Sequence, residues 1–185
     1  MKKTDIQKHK ELICNEIIHS INNIDIDNYS ILIDAIKRKN RIFLSASGRC
    51  RLIMEAFCMR LNHLGIKSFV VGNIPCPSSH EGDLLISLSG SGTTKTILNI
   101  EDKALNQNLE TFIITTNKSL KNKKNRKVLY INAPSRNSKL DNNMSYQLMG
   151  SLFEQCSFLF FEIIISLLSE NVSREFIINN HENLE

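Results

Sequence analysis

Short apolar runs recur through the middle of the chain: RIFLSAS (41–47), KSFVVG (67–72), DLLISLS (83–89), ETFIITT (110–116) and KVLYINA (127–133). They are β-branched or aromatic and mostly continuous rather than alternating, the pattern of strands buried on both faces of a parallel sheet. Between the first two, LIMEAFCMRLNHLG repeats apolar residues at helical spacing and stops at Gly65. Between the third and fourth, TKTILNIEDKALNQ predicts another helix. Residues 5–39 predict two helices that break near Asp25–Asp27, and a long apolar helix and a short terminal one follow the last strand. Alternating β and α elements predict an α/β fold, a doubly wound open sheet of five parallel strands with helices on both faces. The helices of residues 1–40 are expected to pack on a domain formed by 41–185. The basic stretch NKSLKNKKNRK (117–127) is expected to be a solvated loop with a short helix, a polyanion-binding patch being the alternative.

The long apolar stretch SLFEQCSFLFFEIIISLLSE resembles a membrane span in composition, yet Glu154 and Glu162 interrupt it. Its uninterrupted pieces fall short of the ~20 residues a bilayer requires, so burial between layers or subunits is expected and no membrane partner. The length, 185 residues, suits one α/β domain. Aromatic residues make up 6% with no tryptophan, which argues against a reader of nucleic acid that stacks bases on aromatic platforms. The net charge of +4 suits a phosphorylated small molecule as well as a polyanion. Five cysteines with no C-x-x-C spacing, and no histidines at metal-ligand spacing, predict reduced thiols, no structural zinc and a cytoplasmic location. The N-terminus, charged at helical spacing, reads as no signal peptide.

The third apolar run ends abruptly in Ser-Gly-Ser-Gly, followed by Thr93, Thr94 and Lys95. Glycine permits close backbone approach, and hydroxyls donate to anionic oxygens. A strand feeding such a loop and then a helix points backbone N–H groups and a positive dipole end at one small volume, a site for phosphate. A polar turn is the alternative. The first run also ends in a small polar loop, SASGRC, and in an open parallel sheet ligands sit at the carboxyl ends of the strands. If the two loops are neighbours, Gly48, Arg49 and Cys50 face the same cleft as Ser89, Ser91 and Thr94. Neither loop matches G-x-G-x-x-G or G-x-x-x-x-G-K-[ST], so NAD and ATP are poor candidates.

DLLISLSGSGTTKT resembles the phosphosugar-binding loop of SIS (sugar isomerase) domains, with Ser89, Ser91 and Thr94 at the positions of its S-x-S-G-x-T pattern. GRCRLIMEAFCMRLNHLGIKSFVVG, QLMGSLFEQ and HENLE, in the same order, are similar to the 6-phospho-3-hexuloisomerase family of single-domain SIS enzymes. The resemblance covers about residues 40–185. It implies a flavodoxin-like three-layer αβα sandwich and a homotetramer. It also implies reversible conversion of D-arabino-hex-3-ulose 6-phosphate into D-fructose 6-phosphate in the ribulose monophosphate pathway of formaldehyde assimilation, with no metal or organic cofactor. The chain departs from the pattern at Cys50, where a serine is usual, at Thr93, where glutamate is common, at Leu148 in place of a proline, and through PCPSSHEG (75–82). Another SIS phosphosugar isomerase and a non-catalytic phosphosugar sensor are the alternatives.

Moving a carbonyl from C3 to C2 means removing the C2 proton, passing through a cis-enediolate, and returning a proton to C3. One carboxylate in a partly apolar setting can do both. Glu154 follows the Met149-Gly150-Ser151 turn in an otherwise apolar helix, and the resemblance makes it the base; a glutamate that favours a helix dipole is the other reading. His181, in the HENLE tail, is the expected proton shuttle between the enediolate oxygens, a solvated tail residue otherwise. Gln147 and Ser151 are expected as orienting groups, Arg49 as a cleft cation, His80 as a loop histidine within reach of the cleft, and Cys50 as a small lining residue rather than a nucleophile. The tail's apolar residues and the long helix predict a homo-oligomer in which His181 reaches a neighbouring subunit's cleft.

Overall fold

The central apolar runs assemble into one fully parallel sheet. The computed structural model describes residues 3–134 and 145–181. Two helices, α1 (Lys3–Asn22) and α2 (Ile26–Arg38), precede β1 (Ile42–Ala46), α3 (Arg49–His63), β2 (Ser68–Val70), β3 (Leu84–Leu88), α4 (Lys95–Asn106), β4 (Glu110–Thr115) and β5 (Arg126–Tyr130). After them come α5 (Ser151–Ser169) and α6 (Arg174–Asn179). The strand order is β2-β1-β3-β4-β5. The order reverses between β1 and β3, and Ala46 is level with Leu88 there, so the two following loops lie side by side.

Successive strand residues face opposite layers. Ile42, Leu44, Leu84, Ile86, Phe112 and Ile114 join the large core beneath α2, α3 and α5, while Phe43 and Leu85 meet Ala104 and Leu109 on the α4 side. The break between α1 and α2 falls where the sequence places it: Asp25 caps α2, its carboxylate accepting from the Asp27 N–H at 3.0 Å. Helix α5 is long and apolar enough to cross a membrane, but Phe153, Phe160, Phe161 and Ile164 are buried against the core. Its opposite face leaves Phe158, Leu159, Ile163 and Leu167 exposed.

One expectation fails. Residues 117–127 contain no helix; turns and an isolated bridge between Lys123 and Arg126 occupy the segment. Its asparagines hold it as a loop: Asn117 accepts from Ser119 N at 2.9 Å, and Asn122 ties the segment to β5 by accepting from Val128 N at 2.8 Å.

Candidate active site

The phosphate loop after β3 is held from behind. Thr115 and Thr116 donate their hydroxyls to the Gly90 carbonyl at 3.1 and 2.9 Å, and the Asn117 amide donates to the Ser91 carbonyl at 2.9 Å. These bonds draw the loop's carbonyls toward the end of β4. Gly92 sits at φ +62°, and a Cβ there would lie 2.5 Å from Leu120, so only glycine fits the turn. Phe153 of α5 packs against Gly90, where an added Cβ would come within 3.1 Å of its ring. The loop's hydroxyls point the other way. Ser89 Oγ lies 3.3 Å from Thr94 Oγ1, and Ser91 Oγ accepts from the Thr93 N–H at 3.2 Å, which leaves the Ser91 proton available.

Three helices begin at this place. Their N-terminal flanking residues are Gly48 for α3, Thr94 for α4 and Gly150 for α5, and none makes a side-chain cap. By contrast, α2 is capped by Asp25 and α6 by Ser173. Gly48, Thr94 and Gly150 all line one cleft of about 730 Å³. The first turn of a helix leaves N–H groups without intrahelical partners and carries a partial positive charge. Three such ends facing one volume make an anion site of unusual strength, with the hydroxyls of Ser89, Ser91 and Thr94 added.

The remaining chemistry lines the same cleft. Glu154, in the first turn of α5, pairs with Arg49 of α3: Nε and Oε2 are 2.6 Å apart, the guanidinium 68% exposed and the carboxylate only 15%. The Glu154 carboxylate is thus held at the cleft by its contact with the Arg49 guanidinium. Burial and the neighbouring Glu154 carboxylate push the Cys50 thiol up to about 11, against the Gly90 N–H and Arg49. A thiol held protonated at neutral pH is no nucleophile, in keeping with its expected role as a small lining residue.

The structure thus brings together Gly48, Arg49, Cys50, Ser89, Ser91, Thr94, Ser151 and Glu154. The Ser151 hydroxyl donates to the Leu148 carbonyl at 2.7 Å and closes the turn before α5. Gln147 is not among the cleft's lining residues; its amide donates to Glu16 of α1 at 3.3 Å. His80 sits just ahead of β3, at the amino ends of the strands, where its N–H donates to Asp83 at 2.7 Å. His181 stacks on His63, ring centroids 4.7 Å apart, at the far end of α3. Arg49 and His63 are the first and last of the 15 residues of α3, about 21 Å apart at the helical rise, so His181 does not meet Glu154 of its own chain. Residues 182–185 of HENLE lie outside the described residues.

Sequence reasoning missed Glu16 and Asn117, and it named Leu148 and Met149 without giving them a part in the cleft. Glu16 accepts from Ser145 Oγ, Tyr146 N and Gln147 Nε2, anchoring the segment that enters the cleft. Asn117 braces the phosphate loop, and Leu148 and Met149 form part of the cleft wall.

No protein-family profile matches the chain. A Bacillus subtilis protein named 3-hexulose-6-phosphate isomerase is 35% identical over 178 residues, covering 94% of this chain and 95% of its own. A protein of the same name from Methanocaldococcus jannaschii is 36% identical over 155 residues, 83% of this chain and 82% of its own. Among solved structures, a Methanococcus jannaschii protein whose crystal structure was taken to infer a 3-hexulose-6-phosphate isomerase function superposes with a TM-score of 0.80 at 28% identity. That alignment spans 96% of this chain and 99% of the other.

Proposed function

Because the chain belongs to the 3-hexulose-6-phosphate isomerase family of phosphosugar isomerases, we propose that it interconverts D-arabino-hex-3-ulose 6-phosphate and D-fructose 6-phosphate. The observation that carries this reading is the convergence of three uncapped helix N-termini and the SGSGTT hydroxyls on a cleft that also holds the Glu154 carboxylate. The dianionic phosphate binds where α3, α4 and α5 begin, held by Ser89, Ser91 and Thr94. That fixes the sugar carbons toward Glu154, which takes the C2 proton and returns it to C3 from the same face. Arg49 and the α5 N-terminus stabilise the negative charge that develops on the enediolate oxygens. The C2–H electron pair becomes the C2=C3 double bond of the enediolate, the C2 hydroxyl proton passes to the C3 oxygen, and protonation of C3 leaves the carbonyl at C2, so no external oxidant or reductant takes part.

Such a reaction belongs to the ribulose monophosphate pathway of formaldehyde assimilation. We further propose a homotetramer in which His181 serves a neighbouring subunit's cleft. The exposed row Leu52, Phe158, Leu159, Ile163 and Leu167 beside Glu154, and the position of His181 at the far end of α3, support that assembly.

Incubation with fructose 6-phosphate in deuterated water tests the reaction. NMR is expected to show the hex-3-ulose accumulating, with solvent deuterium confined to its C2 and to C3 of the fructose 6-phosphate that returns. Deuterium entering C1, with an aldose 6-phosphate as product, would replace this assignment with an aldose–ketose isomerase; absence of any isomeric product, with no exchange at any carbon, would refute catalysis on this substrate.

A further inference from the structure

The turn that leads into α5 is built in a way its sequence disfavours. Met149 has φ +51° and Gly150 φ +85°, and the Ser151 N–H closes the turn onto the Leu148 carbonyl at 3.0 Å. Positive φ at both central residues is the type I′ arrangement, which favours asparagine and glycine. A methionine held there crowds its own Cβ against the backbone, whereas glycine would not. Burial within the chain does not compensate, because Met149 is 65% exposed and Leu148 80%. The segment is nonetheless fixed from behind by the three bonds from Ser145, Tyr146 and Gln147 to Glu16, and in front by the Ser151 hydroxyl. Two large apolar side chains are therefore presented on the wall of a cleft otherwise rich in hydroxyls, glycines and an ion pair.

We propose that Met149, with Leu148, is the apolar cover over the carbon skeleton of the bound phosphosugar, keeping bulk water from the Glu154 carboxyl group while it holds the substrate proton. The proposal rests on the isomerase reading above. A proton taken from C2 resides on Glu154 until it is delivered to C3. Water in contact with that carboxylic acid would exchange the proton, and water reaching the enediolate would protonate it from solvent. An apolar cover directs the same proton to C3. The left-handed turn sets Met149 on the cleft wall at the start of the helix that carries Glu154.

Two variants test this, Met149→Gly, which relieves the backbone and removes the cover, and Met149→Leu, which keeps apolar bulk. In the binding arm, Met149→Gly is expected to melt no lower than wild type and to keep its thermal shift with inorganic phosphate. Its affinity for fructose 6-phosphate is expected to weaken about tenfold, the loss of most of a buried methionine. In the exchange arm, the ratio of deuterium at C3 to net turnover is expected to rise severalfold in Met149→Gly and to return toward wild type in Met149→Leu. Unchanged phosphosugar affinity together with an unchanged exchange ratio overturns the proposal. So does dissociation of the Met149→Gly oligomer in light scattering, which would assign the side chain to a subunit contact. A wild-type protein that binds fructose 6-phosphate but forms no isomeric product defeats the isomerase reading instead, and the binding arm still decides whether Met149 covers the sugar.

Discussion

Replacing Glu154 by glutamine separates chemistry from architecture, because the structure sets a low ceiling on what the carboxylate does for stability. Its partner Arg49 is 68% exposed, so the 2.6 Å ion pair is screened by water and contributes at most about 1 kcal/mol. The charge also favours the α5 N-terminus by about 0.3–1 kcal/mol. Glutamine keeps the shape and loses only these two contributions, so Tm should fall by no more than roughly 2–8 °C for a chain of this size. The catalytic loss is of another order. A missing acid–base group lowers kcat by at least about 10²-fold, or about 2.7 kcal/mol of barrier, with KM little changed. Isomerisation of fructose 6-phosphate followed by NMR, beside a thermal melt of the same protein, reads both. A kcat within about fivefold of wild type would refute the base assignment and leave Glu154 as a helix-dipole charge. The same variant examines the tail. Mixed under subunit exchange with His181→Ala, it should recover up to about a quarter of wild-type activity if cleft and tail come from different chains, and none if they come from one.

Two other perturbations have outcomes that follow from the geometry. Ser89→Ala removes a hydroxyl that faces Thr94 at the mouth of α4, so KM for fructose 6-phosphate should rise about tenfold or more while Tm moves little; titration with inorganic phosphate checks that the loss lies at the anion. The buried Glu101 carboxyl is pushed from the usual 4.5 up to about 7 by burial, with Arg126, 3.7 Å away, pulling the other way. The unfolded chain gives up this proton at the lower value and the folded chain holds it to the higher one, so stability falls as pH rises from about 4.5 to about 7. Denaturant melts should show wild type losing up to about 3 kcal/mol more than Glu101→Gln across that window, and equal losses would place the Glu101 transition elsewhere.

Strand edges and helix breaks were legible because they follow from local chemistry. Continuous apolar runs fixed the five strands to within two or three residues at their ends, and Asp25 announced the α2 cap. The 117–127 segment misled because lysines are good helix formers while the asparagines between them are strong competitors for backbone bonds, and charge pattern alone does not say which prevails. The cleft residues were named by the resemblance and by the two glycine-rich loops, but their meeting depends on β1 and β3 being neighbours. Arg49 and Glu154 are 105 positions apart in the chain, and Glu16 lies about 130 positions before the segment it anchors. No periodicity reports such a pairing.

Met149 was hidden for a different reason. The structure places it where turn chemistry asks for asparagine or glycine, so a reader of local rules passes over it. Asn108, the other non-glycine residue described with positive φ, is a residue type that tolerates that backbone, and it closes the turn after α4, which carries none of the cleft chemistry apart from its first residues. The two positions differ in what a side chain could gain. At Asn108 the polar side chain suits an exposed turn. At Met149 an apolar side chain gains nothing from water and stands exposed on the cleft wall. A local rule broken at an active-site wall, with the turn held from both sides by hydrogen bonds, is therefore better explained by the liganded state than by the folding of the empty chain.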